Sequence, residues 1–279
     1  MNTGLIMMST ASMTDTIRSS SDCISQVIEL QVVINDEAID SSKVSLETLF
    51  KTVAETGKIP QTSQPTPYAF EQALTTGLEK FDNLVVITPH SEISGTYQNC
   101  LNVVNEHPHS ERIFVLQVNG GIAITETMVI EYAIEQINNN IPFAQLKANL
   151  EEFNNRLVIY TFPGDFSYLK VSGRVNGAAA LLLNALNIRV VVKMEAGTPI
   201  IDHKGRGDKS VLKYIDNLLK SANIEKAYYT SIADNPDLRK MVIQLLESNN
   251  IDYTITDEAN SVPAAHLGPN NFGIAILSK

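Results

Sequence analysis

Positive charge is scarce in this 279-residue chain. Its 21 Lys and Arg stand against 31 Asp and Glu, a formal charge of −10 at pH 7. That balance argues against a broad basic surface for nucleic acid and against one drawn to anionic lipid. Long apolar runs are missing as well. The stretch Ala178–Leu183 is six residues, where a bilayer span needs roughly 20. No basic residue precedes Arg18, so the opening MNTGLIMMSTASM lacks the positive n-region of a secretory signal, and Leu5–Met8 reads as a first buried strand. Only two cysteines occur, Cys23 and Cys100, with no CxxC and no metal-type spacing. They are expected as buried thiols in a reducing cytoplasm. His90, His107, His109 and His203 show no HxxxH or HExxH spacing, so no metal site is expected. A P-loop, a GxSxG elbow and a GxGxxG fingerprint are absent too; the NGG at Asn119–Gly121 is too short for the last.

What is present is a globular composition, 44% apolar and 19% charged. At roughly 150 residues per domain the length suggests two domains. Apolar β-type runs alternate with helical patterns. Val27–Ile34 reads as a second strand. Ser45 opens an amphipathic helix with Leu46, Leu49, Phe50 and Val53 on one face, and Gly57 ends it. Leu84–Thr88 and Ile113–Val118 are continuously apolar, each followed by a loop and a helix, and Leu157–Thr161 follows a further helix. Such strands predict a parallel sheet covered on both faces. After about Phe162 the pattern changes. An apolar helix at Ala178–Leu186 precedes two strands, Ile188–Met194 and Pro199–His203, joined by a hairpin turn. Helices Lys209–Ser221 and Pro236–Ser248 and strands Ala227–Ile232, Asp252–Thr256 and Ile274–Leu277 complete a mixed half. The expectation is an α/β fold of two domains. Residues 1–160 form an N-terminal Rossmann-like parallel sheet with helices on both faces, and 161–279 a C-terminal mixed α+β domain.

Three polar loops join these elements. In the first, Thr62 and Ser63 precede Pro65, and helix N-capping accounts for them taken alone. The second, Ser91–Tyr97, lies between a strand and a helix. Backbone N–H groups and hydroxyls there suit an anion, and Gly95 would permit close approach; a capping serine with nothing bound accounts for Ser94 equally well. The third, Ala265–Gly273, reads as a rigid turn that offers His266 to an anion. Arg174 and Arg206 lie in glycine-containing loops and have the fork that suits carboxylate or phosphate; taken singly, each is as readily an exposed surface arginine.

In order, STAS at Ser9–Ser12, VIELQVVIND at Val27–Asp36, TSQP at Thr62–Pro65, ISGTYQN at Ile93–Asn99, LKVSGRV at Leu169–Val175 and AHLGPNNFG at Ala265–Gly273 resemble the motifs of the DegV family, bacterial fatty-acid-binding proteins. The resemblance covers nearly the whole chain. It implies a long-chain fatty acid in a tunnel between two domains, with its carboxylate held by Thr62 and Ser94, and with Ser63, Gly95 and His266 close by. It further implies a non-enzymatic, cytoplasmic subunit of a two-part fatty acid kinase. A separate ATP-dependent subunit would phosphorylate the bound acid for phospholipid synthesis, and Arg174 and Arg206 would meet the phosphate or that partner. The resemblance implies no cofactor beyond the bound acid. The chain departs from the family at Met7 and Met8, where Thr-Asp is usual, and at Gln117 and Val118, where Asp-Ser is usual. A different class of function, a stand-alone phosphotransferase or hydrolase using Ser94 and His266, is also compatible with the anion-site pattern, and so is a non-catalytic lipid sensor.

Overall fold

A computed structural model describes residues 2–121, 123–174, 188–195 and 197–279. The expected helix at Ala178–Leu186 lies outside the described residues. Four parallel strands form the first sheet, in the order β2 (Ile24–Ile28), β1 (Thr3–Met8), β6 (Asn83–Thr88), β7 (Ile113–Gln117). All of β1 and β6 is buried, which is why they read as unbroken apolar runs. Side chains alternate between two cores. Leu5, Met7, Val85 and Ile87 face one helix, α5 (Ile124–Asn138). Ile6, Met8, Leu84 and Val86 face α3 (Pro67–Lys80) and α4 (Thr96–Glu106).

The second sheet has six mixed strands: β10 (Thr198–Arg206), β9 (Ile188–Glu195), β8 (Leu157–Phe162), β13 (Asn271–Ser278), β11 (Ile224–Ile232) and β12 (Tyr253–Ile255). One face, through Ile159, Tyr228, Ala275 and Leu277, shares the α5 core with the first sheet. The other packs Tyr229, Phe272 and Ile274 under α8 (Gly207–Ser221) and α9 (Pro236–Ser248). The layers therefore run helices, parallel sheet, α5, mixed sheet, helices.

Two strand expectations are corrected. Val27–Ile34 is not one strand. The chain leaves the first sheet after Ile28 and re-enters as β3 (Gln31–Ile34), the centre of a small antiparallel sheet with β4 (Glu37–Asp40) and β5 (Gln61–Ser63). Ser9 fixes the break: its Oγ accepts the Leu30 N–H at 2.9 Å. The strand at Leu157 also moves, because β8 pairs antiparallel with β13 and β9 and so belongs to the mixed sheet. The hairpin between β9 and β10 forms as expected. So does the helix after Ser45, α2 (Leu46–Thr56): the Ser45 hydroxyl accepts the Thr48 N–H, and Gly57 closes the helix in the left-handed region at φ 68°.

Candidate functional site

Strand order in the parallel sheet reverses at β1, whose neighbours are β2 on one side and β6 on the other. Crevices of α/β proteins open at such a switch point, beyond the carboxyl ends of the strands. The loop after β6 carries Ser94 to this place. It is folded by its own backbone, with the Ile93 and Ser94 N–H groups both donating to the His90 carbonyl at 3.1 Å. The Ser94 and Thr96 hydroxyls share a hydrogen bond of 2.8 Å at the start of α4.

His266 arrives from the far end of the chain. It sits not in a turn but in the last turn of a seven-residue helix, α10 (Ser261–Leu267). Asn260 caps this helix by accepting the Val262 N–H, and its amide donates to the Ser9 carbonyl. Ser261 Oγ donates to the Ser41 carbonyl at 2.9 Å. These bonds pin the helix to the first half of the chain. There the His266 Nε2 and Thr62 Oγ1 lie 2.8 Å apart. Thr62 is held in β5 opposite Val32 of β3; the helix cap is Thr66, whose hydroxyl accepts the Ala69 N–H.

Arg174 completes the cluster. Helix α7 (Phe166–Ser172) stops at Gly173 in the left-handed region at φ 70°, which swings the next residue aside. The Arg174 guanidinium donates to the Ser172 carbonyl at 2.7 Å and to the Ile93 carbonyl at 3.4 Å. Among the described residues no carboxylate pairs with it, and burial lowers its pKa. Burial and the Arg174 charge push the His266 pKa down to about 3, so its imidazole is neutral at ordinary pH. Its Nδ1 is buried with no hydrogen-bond partner.

Thr62, Ser94, Arg174 and His266 line one cleft of about 90 Å³. The rest of its wall is mainly apolar and comes from both halves: Leu30, Ile93 and Gly120 from the first, Ile159, Val192, Met194 and Val262 from the second. Leu30, Ile93 and Gly120 fall in segments already singled out in the sequence, whereas nothing in the local pattern of Ile159, Val192, Met194 and Val262 marks them. Three expected residues stand elsewhere. Ser63 alternates to the opposite face of β5 from Thr62, and its hydroxyl donates to Gln31. Gly95 packs against Gln64, whose Oε1 would lie 2.2 Å from an added Cβ. Arg206 is exposed at the end of β10. No group of three or more His, Cys, Asp or Glu suited to a metal occurs among the described residues, and no described helix is long and apolar enough to cross a membrane.

An apolar cleft between two sheet layers, headed by two hydroxyls, a neutral imidazole and a guanidinium with no carboxylate partner among the described residues, has the chemistry that suits an amphipathic anion. Residues 2–279 match the model of the DegV family of uncharacterised proteins, and the chain belongs to that family. A fatty acid-binding protein of Thermotoga maritima is 27% identical over 272 residues, covering 90% of this chain and 91% of that one. In fold, the chain is similar to a fatty-acid-binding DegV family protein from Thermus thermophilus, with a TM-score of 0.88, 22% identity and full coverage of both chains. It is also similar to a DegV family protein from Eubacterium eligens loaded with heptadecanoic acid, with a TM-score of 0.85, 16% identity and coverage of 99% and 100%.

Proposed function

We propose that this chain binds a long-chain fatty acid in the cleft, with the carboxylate among Thr62, Ser94, Arg174 and His266, and presents it to a separate ATP-dependent kinase subunit. The observation that carries the reading is the half-buried Arg174, which has no carboxylate partner among the described residues, set beside hydroxyl donors in an otherwise apolar cleft. A buried charge calls for a counter-charge, and the ligand's carboxylate supplies it. The tail supplies most of the affinity. About 14 methylenes at ~0.8 kcal/mol each give about 11 kcal/mol before the costs of association. A head group held by hydroxyls and one guanidinium keeps an oxygen free for phosphoryl transfer. No ATP-binding motif is present in the sequence, so the phosphoryl donor would come from the partner, and exposed Arg206 is the residue proposed to meet it.

The hydrogen bonds favour a carrier over a hydrolase. Ser94 is bonded to Thr96, and His266 Nε2 to Thr62, so the two are not paired as nucleophile and base. Lipid extraction of the purified protein with mass spectrometry, followed by titration with added acid, tests the reading. Stoichiometric long-chain acid is expected; neither co-purified nor added acid on the protein would refute it. Acyl phosphate formation on mixing the loaded protein with ATP and a kinase subunit tests the second half of the proposal.

A further inference from the structure

The NGG turn at Asn119–Gly121 stands behind the Ser94 loop. Gly120 lines the cleft, and Gly121, at φ 97°, faces Met194 and Ile93 of its wall. The Gly121 carbonyl accepts the His90 N–H at 3.1 Å, and the His90 carbonyl in turn accepts the Ile93 and Ser94 N–H groups. The Asn119 carbonyl accepts the Gly197 N–H at 2.9 Å, at the tip of the hairpin between β9 and β10. The position of this turn therefore sets where the Ser94 loop and the hairpin tip stand.

A side chain from outside the cleft holds the turn. β7 is the last strand of the first sheet among the described residues. Val118 points its N–H inward, to the Thr88 carbonyl at 3.1 Å, so the backbone groups of Gln117 and Asn119 on either side of it point outward. An outward C=O and an outward N–H two residues apart are what a neighbouring strand would pair. Asn154 takes that strand's place. It belongs to α6 (Phe143–Asn155), which with α1 (Asp15–Ser19) packs on the central helix α5. Its Oδ1 accepts the Asn119 N–H at 2.9 Å, and its Nδ2 donates to the Gln117 carbonyl at 2.9 Å. A carboxamide offers both a donor and an acceptor; a carboxylate can only accept, and an apolar side chain does neither. The tie is reciprocal, since Asn119 Nδ2 donates to Asn155 Oδ1 at 2.9 Å and to the Asn154 carbonyl at 3.4 Å. Gln117 adds a second link to the head-group loop, where its Oε1 accepts the Ser91 N–H at 3.0 Å. Asn154 is 4% exposed and does not itself line the cleft.

We propose that Asn154 is a positioning residue for the head group: by completing the open edge of β7 it fixes the Asn119–Gly121 turn and, through His90, the Ser94 loop that receives the carboxylate. The proposal rests on the fatty-acid reading above.

The test is a double-mutant cycle of Asn154→Leu with Ser94→Ala in the full chain. Equilibrium binding of hexadecanoic acid and of hexadecanol is measured for each protein, and the amide NMR shifts of Ser94 and Gly197 are compared between wild type and Asn154→Leu without ligand. Asn154→Leu is expected to lose about tenfold in affinity for the acid, the worth of one hydrogen bond, and to keep its affinity for the alcohol. Added to Ser94→Ala it should cost nothing further, because the two residues act through one contact. Both amides should move. Equal losses for acid and alcohol, a loss that adds in full to that of Ser94→Ala, or an unmoved Ser94 amide would overturn the proposal. Should Asn154→Leu not fold, Asn154→Asp takes its place in the cycle with the same expectations, since it keeps the acceptor for the Asn119 N–H and gives up the donor to the Gln117 carbonyl. Absence of acid binding by the wild type, with the Ser94 amide displaced in the variant, would instead sink the fatty-acid reading and leave the Asn154 coupling standing without it.

Discussion

Replacing His266 by Gln removes a titrating group whose folded and unfolded pKa values lie far apart. An unfolded histidine takes up its proton near pH 6.5. In the folded chain, burial and Arg174 hold that step down to about 3. Below pH 6.5 the unfolded state thus binds a proton that the folded state refuses. The stability associated with neutral His266 is fully present above pH 6.5 and is lost as pH falls toward 3, at up to ~1.4 kcal/mol per pH unit. From pH 6.5 to pH 5 the loss reaches about 2 kcal/mol. Gln can keep a hydrogen bond to Thr62 and does not titrate, so subtracting its profile cancels other acid-range groups such as Asp40 and Asp216, whose pKa values Lys43 and Lys220 lower. Urea unfolding followed by circular dichroism, at steps from pH 7.5 to pH 5, reads the difference. The stability advantage of wild type over His266→Gln should shrink by about 2 kcal/mol toward pH 5. A difference constant to within ~0.5 kcal/mol would mean that the imidazole titrates as it does in water, and the picture of a desolvated head-group site would fail.

Arg174→Gln should weaken hexadecanoic acid binding by about 10- to 150-fold, the worth of a hydrogen bond to a charged group, and leave hexadecanol binding nearly unchanged. Equal losses for acid and alcohol would show that Arg174 shapes the cleft instead of pairing with a carboxylate. Gly268→Ala should cost more than the ~1–3 kcal/mol of backbone strain alone, because Gly268 holds φ 72° and ψ −179° at the end of the His266 helix and an added Cβ would lie 2.6 Å from the Tyr168 ring. Gly57→Ala, at φ 68° with open space around it, serves as the control and should cost about 1 kcal/mol; thermal unfolding that ranks them the other way contradicts the packing argument. Arg206→Ala should leave acid binding unchanged and impair acyl phosphate formation with the kinase subunit; normal turnover would remove Arg206 from the partner surface.

Reading order along the chain was a good guide wherever an element is buried on both faces. β1 and β6 come directly from Leu5–Met8 and Leu84–Thr88, because a strand between two helical layers has to be apolar throughout. Sheet membership is another matter. Leu157–Phe162 has the same composition whether it pairs with β7 or with β13, and only distant contacts decide. The His266 helix was illegible for a different reason. Its seven residues are too few for a 3.6-residue period, and Pro263 in the first turn reads as a break although that position tolerates proline. Among the candidate site residues, Thr62, Ser94 and His266 were named from sequence and do meet in one cleft. Arg174 was legible as a cation in a glycine loop but not as a half-buried one. Ser63 failed on the two-residue alternation of a strand too short to declare itself.

The scarcity of positive charge gives Arg174 its weight. In a chain of net charge −10, most cations can find carboxylates at the surface, as Lys43 does with Asp40 and Lys220 with Asp216. Such exposed pairs contribute little. Arg174 instead gives its hydrogen bonds to two backbone carbonyls in an apolar cleft, and those leave its charge unbalanced. The neighbouring histidine cannot serve as a second cation, since the same guanidinium helps to keep it neutral. Among the described residues the site therefore offers one positive charge and a set of neutral donors, which matches a single carboxylate and undersupplies a phosphate dianion. Under the carrier reading proposed above, that asymmetry would favour the acid over a phosphorylated product: each added negative charge finds no further cation among the described residues of the cleft, while the apolar walls keep the same grip on the tail.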